Sequence, residues 1–150
     1  MKVVIQRVKH SKVEVDGAIV GAVQKGFLVL LGIEEFDTQE DVDWLSRKIV
    51  NMRIFSDEEG YMNLSLQEVN GEILLVSQFT LHASTRKGNR PSFIKAAKPG
   101  FSNEMYEKMK AELSNQLGVN IQSGKFGADM QVSLLNDGPV TIVLDSKNKK

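Results

Sequence analysis

The chain has 150 residues, of which 41% are hydrophobic and 25% charged, and its 19 basic residues balance its 19 acidic ones. This composition is typical of a globular protein with one core, so we expect residues 1–150 to form a single domain. No apolar run approaches the roughly 18 residues of a membrane-spanning helix. Cysteine is absent, which excludes disulfides, thiol nucleophiles and thiolate metal sites.

The first third of the chain carries the patterns of β-strands. Strands are predicted at Val3–Val8, at Ser11–Val15 and Ala18–Val23 around an Asp-Gly hairpin signal, and at Phe27–Leu31, a run expected to be buried on both faces. Gln6 and Arg7 interrupt the initial apolar run too early for a signal peptide. We therefore expect a cytoplasmic protein.

Two helices are predicted. The first begins with a capping box near Asp37–Glu40, and its apolar stripe runs through Val42, Leu45, Ile49 and Met52. The second is predicted to begin with Ser102 as its N-cap, to bury Met105, Met109 and Leu113 on one face, and to end at Gly118. The segment between the first helix and the next strand, Phe55–Asn70, is predicted to be a turn and a loop.

The stretch Ile73–Leu81 joins a buried strand to candidate catalytic groups. Its first four residues are all apolar, which favours a strand buried on both faces. If the strand continues, Gln78 and Thr80 share one face, and Ser77 and Phe79 share the other. An amide and a hydroxyl at the carboxyl end of a strand suit an active site. The alternative, which spacing alone favours, is that they only satisfy loop backbone.

The end of the chain has strand patterns at Val119–Gln122, Gln131–Leu135 and Val140–Leu144. The last two are separated by Asn136-Asp137-Gly138-Pro139, whose Asp-Gly pair is typical of a plain hairpin. However, Pro directly after the turn cannot donate a ladder hydrogen bond, and X-Pro bonds are cis in about 5–6% of folded cases. An unusual turn is therefore the alternative.

A basic segment follows the central strand. No Asp or Glu occurs from Ile73 to Asn103, and this stretch contains a set of cations that we call the basic window: Arg86, Lys87, Arg90, Lys95 and Lys98. Such a patch on a neutral protein suits a phosphate-bearing partner, and a solvated loop is an alternative of nearly equal weight. The connection that carries it, Ser84–Gly100, is long enough to be functional or disordered.

Conventional hydrolase machinery is missing. The sequence has no Gly-rich phosphate loop, no H-E-x-x-H pair and no G-x-S-x-G elbow, and no cluster that demands a metal or cofactor. His10 is expected to be exposed in a turn, and His82 to be a satisfied loop residue, although it could approach Thr80. An enzyme of this kind needs a labile substrate bond, or a substrate that supplies part of the catalysis.

Two motifs resemble those of the D-aminoacyl-tRNA deacylase, or D-tyrosyl-tRNA deacylase, family. They are Ser77-Gln78-Phe79-Thr80-Leu81 and Asn136-Asp137-Gly138-Pro139-Val140-Thr141, and the opening up to Arg7 and segments 86–93 and 126–132 are also similar. The resemblance covers essentially the whole chain. It implies an α/β fold, a single compact domain with mixed, barrel-like β-sheets and two main packed helices, and a homodimer with active sites near the subunit interface.

The resemblance also implies the activity: hydrolysis of the ester of D-aminoacyl-tRNA, and of glycyl-tRNA, as chirality proofreading. Ser77, Gln78, Phe79 and Thr80 would be catalytic, Gly138, Pro139, Arg7 and Asn136 would bind substrate, and the basic window would bind tRNA. A cis Gly138–Pro139 peptide would enter the partner's site, where its backbone carbonyls reject L-amino acids.

Two mechanisms are compatible with these residues. Thr80 is the nucleophile in one; in the other, water and the terminal 2′-hydroxyl take part in the attack, with the Phe79 N–H and Gln78 orienting groups, and we favour the second. Two other functions stay open: a non-catalytic RNA-binding module, and a small-molecule esterase or amidase.

Overall fold

The computed structural model describes all 150 residues, and its main element is a six-stranded mixed sheet. The elements are β1 (Lys2–Val15), β2 (Ala18–Val23), β3 (Gly26–Gly32), α1 (Gln39–Asn51), β4 (Phe55–Ser56), β5 (Met62–Leu64), β6 (Glu72–Ser77), a 3-10 turn at Phe79–His82, α2 (Pro99–Leu117), β7 (Gln122–Ser123) and β8 (Gln131–Asp145). Neither helix has the length and apolar character that crossing a membrane would need.

The sheet is curled until its two edges nearly meet. Its order is β2-β1-β3-β6-β7, with β3 and β6 parallel, and β8 pairs with β1 along most of its length. At the edges, a Cβ on Gly21 in β2 would be only 2.6 Å from the Ser123 carbonyl oxygen in β7, so this approach requires glycine. The predicted α/β fold, with a barrel-like sheet and two packed helices, is confirmed.

The central strands β3 and β6 are buried on both faces, as their unbroken apolar runs predict. One face packs under the helices and includes Phe27, Val29, Leu31, Ile73 and Leu75. The other face fills the curled sheet, where Leu28, Leu74 and Val76 meet Val8, Val13 and Val23. A strand packed on both sides is held rigidly, so the residues that follow Ser77 start from a fixed point.

Strands β1 and β8 are longer than the sequence patterns predict. The predicted strands Val3–Val8 and Ser11–Val15 are one strand, and His10 lies exposed within it rather than in a turn. The plain hairpin at Asn136–Pro139 is also wrong. Both halves of β8 pair with the same neighbour, β1, and only the ladder between them is interrupted. The lengths of β1 and β8 depend on their pairing with each other, and a local sequence pattern contains no information about the pairing partner.

Helix α2 begins earlier than predicted. Pro99 occupies its first turn, where the missing proline N–H costs no hydrogen bond, and the N-cap is Lys98. Ser102 is therefore not the N-cap; it lies inside the helix, and its hydroxyl donates to the Ala97 carbonyl at 3.1 Å. The end of the helix is as predicted, with Gly118 in the left-handed region at φ +73°.

The start of helix α1 is a charged cluster. Its capping box is formed by Thr38 and Asp41, since the Thr38 N–H donates to Asp41 Oδ2 at 2.8 Å. Lys147 Nζ lies 2.8 Å from the same oxygen. Burial raises the pKa of Asp41, but hydrogen bonds from Lys147, Ser146 and the Thr38 backbone outweigh this effect and lower the pKa to about 2.

We expect this carboxylate to make the folded state sensitive to acid. Because the pKa of Asp41 is lower in the folded chain than its ordinary value of about 3.9, its contribution to the free energy of unfolding is complete above about pH 4. It is lost as pH falls through the folded value of about 2. Urea unfolding between pH 2 and 5 should give a shallower pH dependence for Asp41→Asn than for wild type; equal slopes would contradict the assignment.

Candidate active site

The chain after β6 turns instead of continuing as a strand. The Gln78 N–H donates to the Leu31 carbonyl at 2.8 Å, and Phe79–His82 then forms a single 3-10 turn, called here the 79–82 turn. The prediction that Gln78 and Thr80 share a strand face is therefore wrong. Their side chains nevertheless meet, since Gln78 Nε2 donates to Thr80 Oγ1 at 2.6 Å.

Thr80 has no base among its hydrogen-bond partners. The Gln78 amide nitrogen is a donor, so it cannot take the hydroxyl proton of Thr80. His82 does not supply the base either. Its ring is buried and lies against Glu34, with Nδ1 3.0 Å from Oε1, and no hydrogen bond joins it to Thr80. The arrangement therefore lacks the base that would activate Thr80 as a nucleophile.

A cleft of about 640 Å³ opens beside the 79–82 turn. Its volume lies within the range of about 300–1,000 Å³ that is usual for ligand sites. The lining is mostly apolar and includes Ser77, Gln78 and Phe79 together with Phe93, Phe126, Met130, Lys98 and Ser102. The Phe79 and Phe93 rings meet edge to face with their centroids 5.2 Å apart, and both are partly exposed. Flat aromatic surfaces of this kind suit a nucleobase or an aromatic side chain.

The Gly138–Pro139 peptide is cis, as the family resemblance implies, and a buried arginine braces it. Arg7 Nη1 donates to the Ile54 carbonyl at 2.6 Å, and Arg7 Nε donates to the Asp137 carbonyl at 3.0 Å. Gly138 has φ +126°, and a Cβ there would be 2.9 Å from Arg7 Nη2. The site therefore has no room for a side chain at position 138.

Asn136 also braces this motif. Its Oδ1 accepts a hydrogen bond from the Val140 N–H at 2.9 Å, and its Nδ2 donates to Thr141 Oγ1 at 3.2 Å. Both polar atoms of the amide are thus engaged by the chain's own residues. In the structure Asn136 holds the shape of the loop around Gly138–Pro139.

The two motifs lie at opposite ends of the sheet. The Gly-Pro motif is flanked by Asn136 and Thr141, which the pairing across β1 and β3 places level with Glu72 and Leu74 in β6. Ser77 lies three to five residues further along β6, about 10–17 Å at the usual strand rise, and three strand spacings of roughly 4.8 Å to the side. The motifs of one chain therefore do not meet.

The basic window is exposed and free of acidic partners. Backbone hydrogen bonds of 2.8 Å between Ser84 and Ser92 close a loop that carries Arg86, Lys87 and Arg90. Lys95 and Lys98 follow in the segment that leads to helix α2, and Lys98 lines the cleft. None of these five cations takes part in a salt bridge within the chain. Their charge remains available to a partner.

Comparison with known proteins decides the family. A family model described as D-Tyr-tRNA(Tyr) deacylase matches residues 4–145. The chain is also 61% identical to the D-aminoacyl-tRNA deacylase of Flavobacterium johnsoniae and 60% identical to that of Bacteroides thetaiotaomicron, in each case over the full length of both chains. The chain belongs to the D-Tyr-tRNA(Tyr) deacylase family.

Two solved structures are similar to the structure of this chain. The structure of c-Myc DNA unwinding element binding protein is 42% identical, with a TM-score of 0.91 over 97% of this chain and 98% of that one. A structure described as that of a probable eukaryotic D-amino acid tRNA deacylase has a TM-score of 0.83 over 95% of this chain and 97% of that one. It is only 18% identical, so it bears on the fold alone.

Sequence patterns missed the walls of the cleft. Phe93, Ser102, Phe126 and Met130 come from separate segments that fold together beside the 79–82 turn. No local pattern marks them as site residues, because their common feature is their position in space. The sequence feature that came nearest to identifying these residues was the similarity of segments 86–93 and 126–132 to the deacylase family.

Proposed function

We propose that the protein hydrolyses the ester bond of D-aminoacyl-tRNA and releases free D-amino acid and tRNA in the cytoplasm. The observation that carries this is the position of Ser77, Gln78 and Phe79 on the wall of a ligand-sized cleft, in a chain that belongs to a deacylase family over its whole length. The cleft receives the aminoacylated 3′ end. The basic window receives the phosphates of the acceptor stem by charge and shape.

The working unit is a homodimer in which each site combines two chains. The distance between the motifs within one chain supports this arrangement, since Gly138–Pro139 cannot reach the chain's own 79–82 turn. Strand β8 supports it too. It pairs only with β1, so its outer edge is free, and it exposes Leu135 and Val143. A long free edge with apolar side chains suits contact with a second copy.

The chirality of the substrate is read by backbone atoms. The Asp137 carbonyl, held by Arg7, and the carbonyl of Gly138 accept hydrogen bonds from the substrate's α-ammonium group and leave no room for an L side chain. Such a filter places no demand on what the D side chain is. It also accepts glycyl-tRNA, because glycine has no side chain to be rejected.

Hydrolysis proceeds by attack of water on the ester carbonyl. The Phe79 N–H lies at the start of the 79–82 turn, where backbone donors have no partner within the turn, and it stabilises the oxyanion of the tetrahedral intermediate. The bond from the carbonyl carbon to the ribose 3′-oxygen then breaks, and the proton released by water passes to that oxygen. The neighbouring 2′-hydroxyl, hydrogen-bonded to the reacting oxygens, helps this transfer, and Gln78 orients the groups.

Thr80→Ala is expected to keep much of the activity. If Thr80 only accepts a hydrogen bond from Gln78, its removal costs about 1 kcal/mol, or less than about tenfold in kcat/KM. A D-tyrosyl-tRNA whose terminal ribose lacks the 2′-hydroxyl should be cleaved far more slowly by the wild-type protein. Loss of activity in folded Thr80→Ala would make Thr80 the nucleophile instead.

The basic window should give tRNA binding a marked salt dependence. Replacing Arg86, Lys87 and Arg90 together by Ala is expected to raise the Kd for tRNA and to lower the slope of log Kd against log salt by roughly 2–3, about one per lost phosphate contact. Replacing Arg47 and Lys48 on helix α1 and Lys108 on helix α2 by Ala is the control, because it removes the same number of charges elsewhere. If the affinity for tRNA does not change with salt, these cations contact solvent and not the tRNA phosphates.

The deciding experiment compares D-tyrosyl-tRNA with L-tyrosyl-tRNA as substrates of the purified protein. Release of only the D form is expected. Cleavage of both would indicate an esterase without proofreading, and equal cleavage of a small D-tyrosyl ester without tRNA would indicate a small-molecule esterase.

A non-catalytic nucleic-acid-binding module is the second candidate, and the name of the 42% identical solved structure favours it. That function predicts retention of tRNA, or of duplex DNA, with both aminoacyl esters intact. The binding and release assays, run on the same preparation, separate the two functions.

A further inference from the structure

His82 is the buried end of the 79–82 turn, and its imidazole is left in an unusual state. The side chain is fully buried, and Nδ1 lies 3.0 Å from Glu34 Oε1. The contact lacks the alignment of a hydrogen bond, and Nε2 has no partner at all. Buried polar atoms are seldom left this way, so the imidazole calls for a role beyond filling space.

The turn that carries the site is attached to the sheet at its start and at its end. At its start, the Gln78 N–H donates to the Leu31 carbonyl at 2.8 Å. At its end, Leu81 and the His82 ring pack on the bare backbone of Gly32, where a Cβ would be 3.0 Å from Leu81 Cβ and 3.1 Å from the ring carbon Cδ2. Phe79 and Thr80, between these points, are exposed. The position of the Phe79 N–H therefore depends on both attachments.

Glu34 is itself fixed and is joined to the opposite wall of the cleft. Its N–H donates to Asp37 Oδ2 at 2.7 Å. Its backbone forms an antiparallel bridge with Ala96, and the adjacent Ala97 N–H donates to the Ile33 carbonyl at 2.9 Å. The same segment carries Phe93 and Lys98 on the cleft wall. A contact between His82 and Glu34 thus joins the 79–82 turn to the segment that carries Phe93 and Lys98.

We propose that His82 and Glu34 form a buried pair that fixes the 79–82 turn against the Phe93–Lys98 wall, which makes His82 a positioning residue for deacylation. This inference rests on the proposed function. Hydrogen bonds of an empty site are often misaligned and become aligned when the ligand binds. Since the cleft lies between turn and wall, the aminoacylated adenosine end brings the Nδ1–H and the Glu34 carboxylate into line.

Two substitutions separate the hydrogen bond from the packing. His82→Asn keeps an N–H donor near the position of Nδ1 but loses volume, whereas His82→Leu keeps volume and loses the donor. We expect the Asn variant to stay within about threefold of wild-type kcat and the Leu variant to lose about 10- to 100-fold, with little change in KM. Glu34→Gln, which keeps an acceptor, should resemble the Asn variant. Ile49→Val, on the buried face of helix α1, is the control for lost packing.

The ring itself can be followed by nitrogen-15 NMR, since the chain has only two histidines and His10 is exposed. Adding a non-hydrolysable 3′-amide analogue of D-tyrosyl-adenosine should slow exchange of the His82 ring N–H and leave His10 unchanged. This measurement needs no variant, so it holds even if His82→Leu fails to fold.

An unchanged His82 signal in the saturated complex overturns the inference, as does full kcat in His82→Leu. Wild-type protein that releases no D-tyrosine overturns the proposed function instead, so the two failures are distinguishable.

Discussion

Gly138→Ala should abolish most D-aminoacyl-tRNA deacylation, with a fall of about 100-fold or more in kcat/KM. A side chain at this φ of +126° is strained, and its Cβ would lie 2.9 Å from Arg7 Nη2 and 3.0 Å from Val140 Cγ2. Arg7 cannot move aside without losing its hydrogen bonds to the Ile54 and Asp137 carbonyls. The backbone of the motif must therefore shift, and with it the carbonyls that we propose read chirality.

The measurement is kcat/KM for D-tyrosyl-tRNA, with the thermal unfolding midpoint recorded alongside. Gly60→Ala is the matched control, because Gly60, in the loop before β5, also has a positive φ of +86° but has open space where its Cβ would lie. Both variants carry the backbone penalty of about 1–3 kcal/mol. Only Gly138→Ala should lose activity. If both variants are equally active, the Gly138–Pro139 motif is not part of the active site.

Asp37→Asn should be among the most destabilising single substitutions in the protein, at about 3–5 kcal/mol. The α-ammonium of Met1 lies 2.6 Å from Asp37 Oδ1, and both groups are fully buried. Removing the carboxylate charge leaves the ammonium buried without a counter-charge, since Lys147, 3.7 Å from the same oxygen, is a cation as well. Breaking one side of a buried ion pair costs more than the pair contributes, because the remaining charge has lost its water.

Urea unfolding at pH 7 measures this effect as a fall in the free energy of unfolding. Asp43→Asn is the control: Asp43 lies on helix α1, but it is exposed, and its carboxylate accepts only a hydrogen bond from Gln39 Nε2. It should change stability by less than about 0.5 kcal/mol. If the two variants are equally stable, the Met1–Asp37 pair contributes nothing.

Local patterns predicted the elements whose environment is uniform along their length. The buried strands β3 and β6, the stripe of helix α1 and the left-handed stop at Gly118 all follow from residue type and spacing. Local patterns failed where contacts with residues far along the chain determine the local structure. Gln78 and Thr80 alternate as a strand does, but the pairing with β3 ends at Ser77 and that with β7 at Leu75, and the chain then forms a 3-10 turn.

The candidate site shows the same division. The residue types and the two motifs, through their resemblance to the deacylase family, were enough to name the Ser77–Thr80 and Asn136–Pro139 segments. Only the tertiary structure brought Phe93 and Phe126 to the cleft, placed the Asn136 amide where it accepts from the Val140 N–H, and buried His82 against Glu34.

The sequence by itself determined the family, the two buried strands, the helices and the segments that carry the chemistry, because these depend on residue identity and on spacing along the chain. The tertiary structure decided that the two motifs lie at opposite ends of one sheet, and that a buried arginine leaves room only for glycine at position 138. Those facts depend on which strands pair and in what register. Pairing is a property of contacts between residues as far apart as Val8 and Asn136, and no window along the chain contains both.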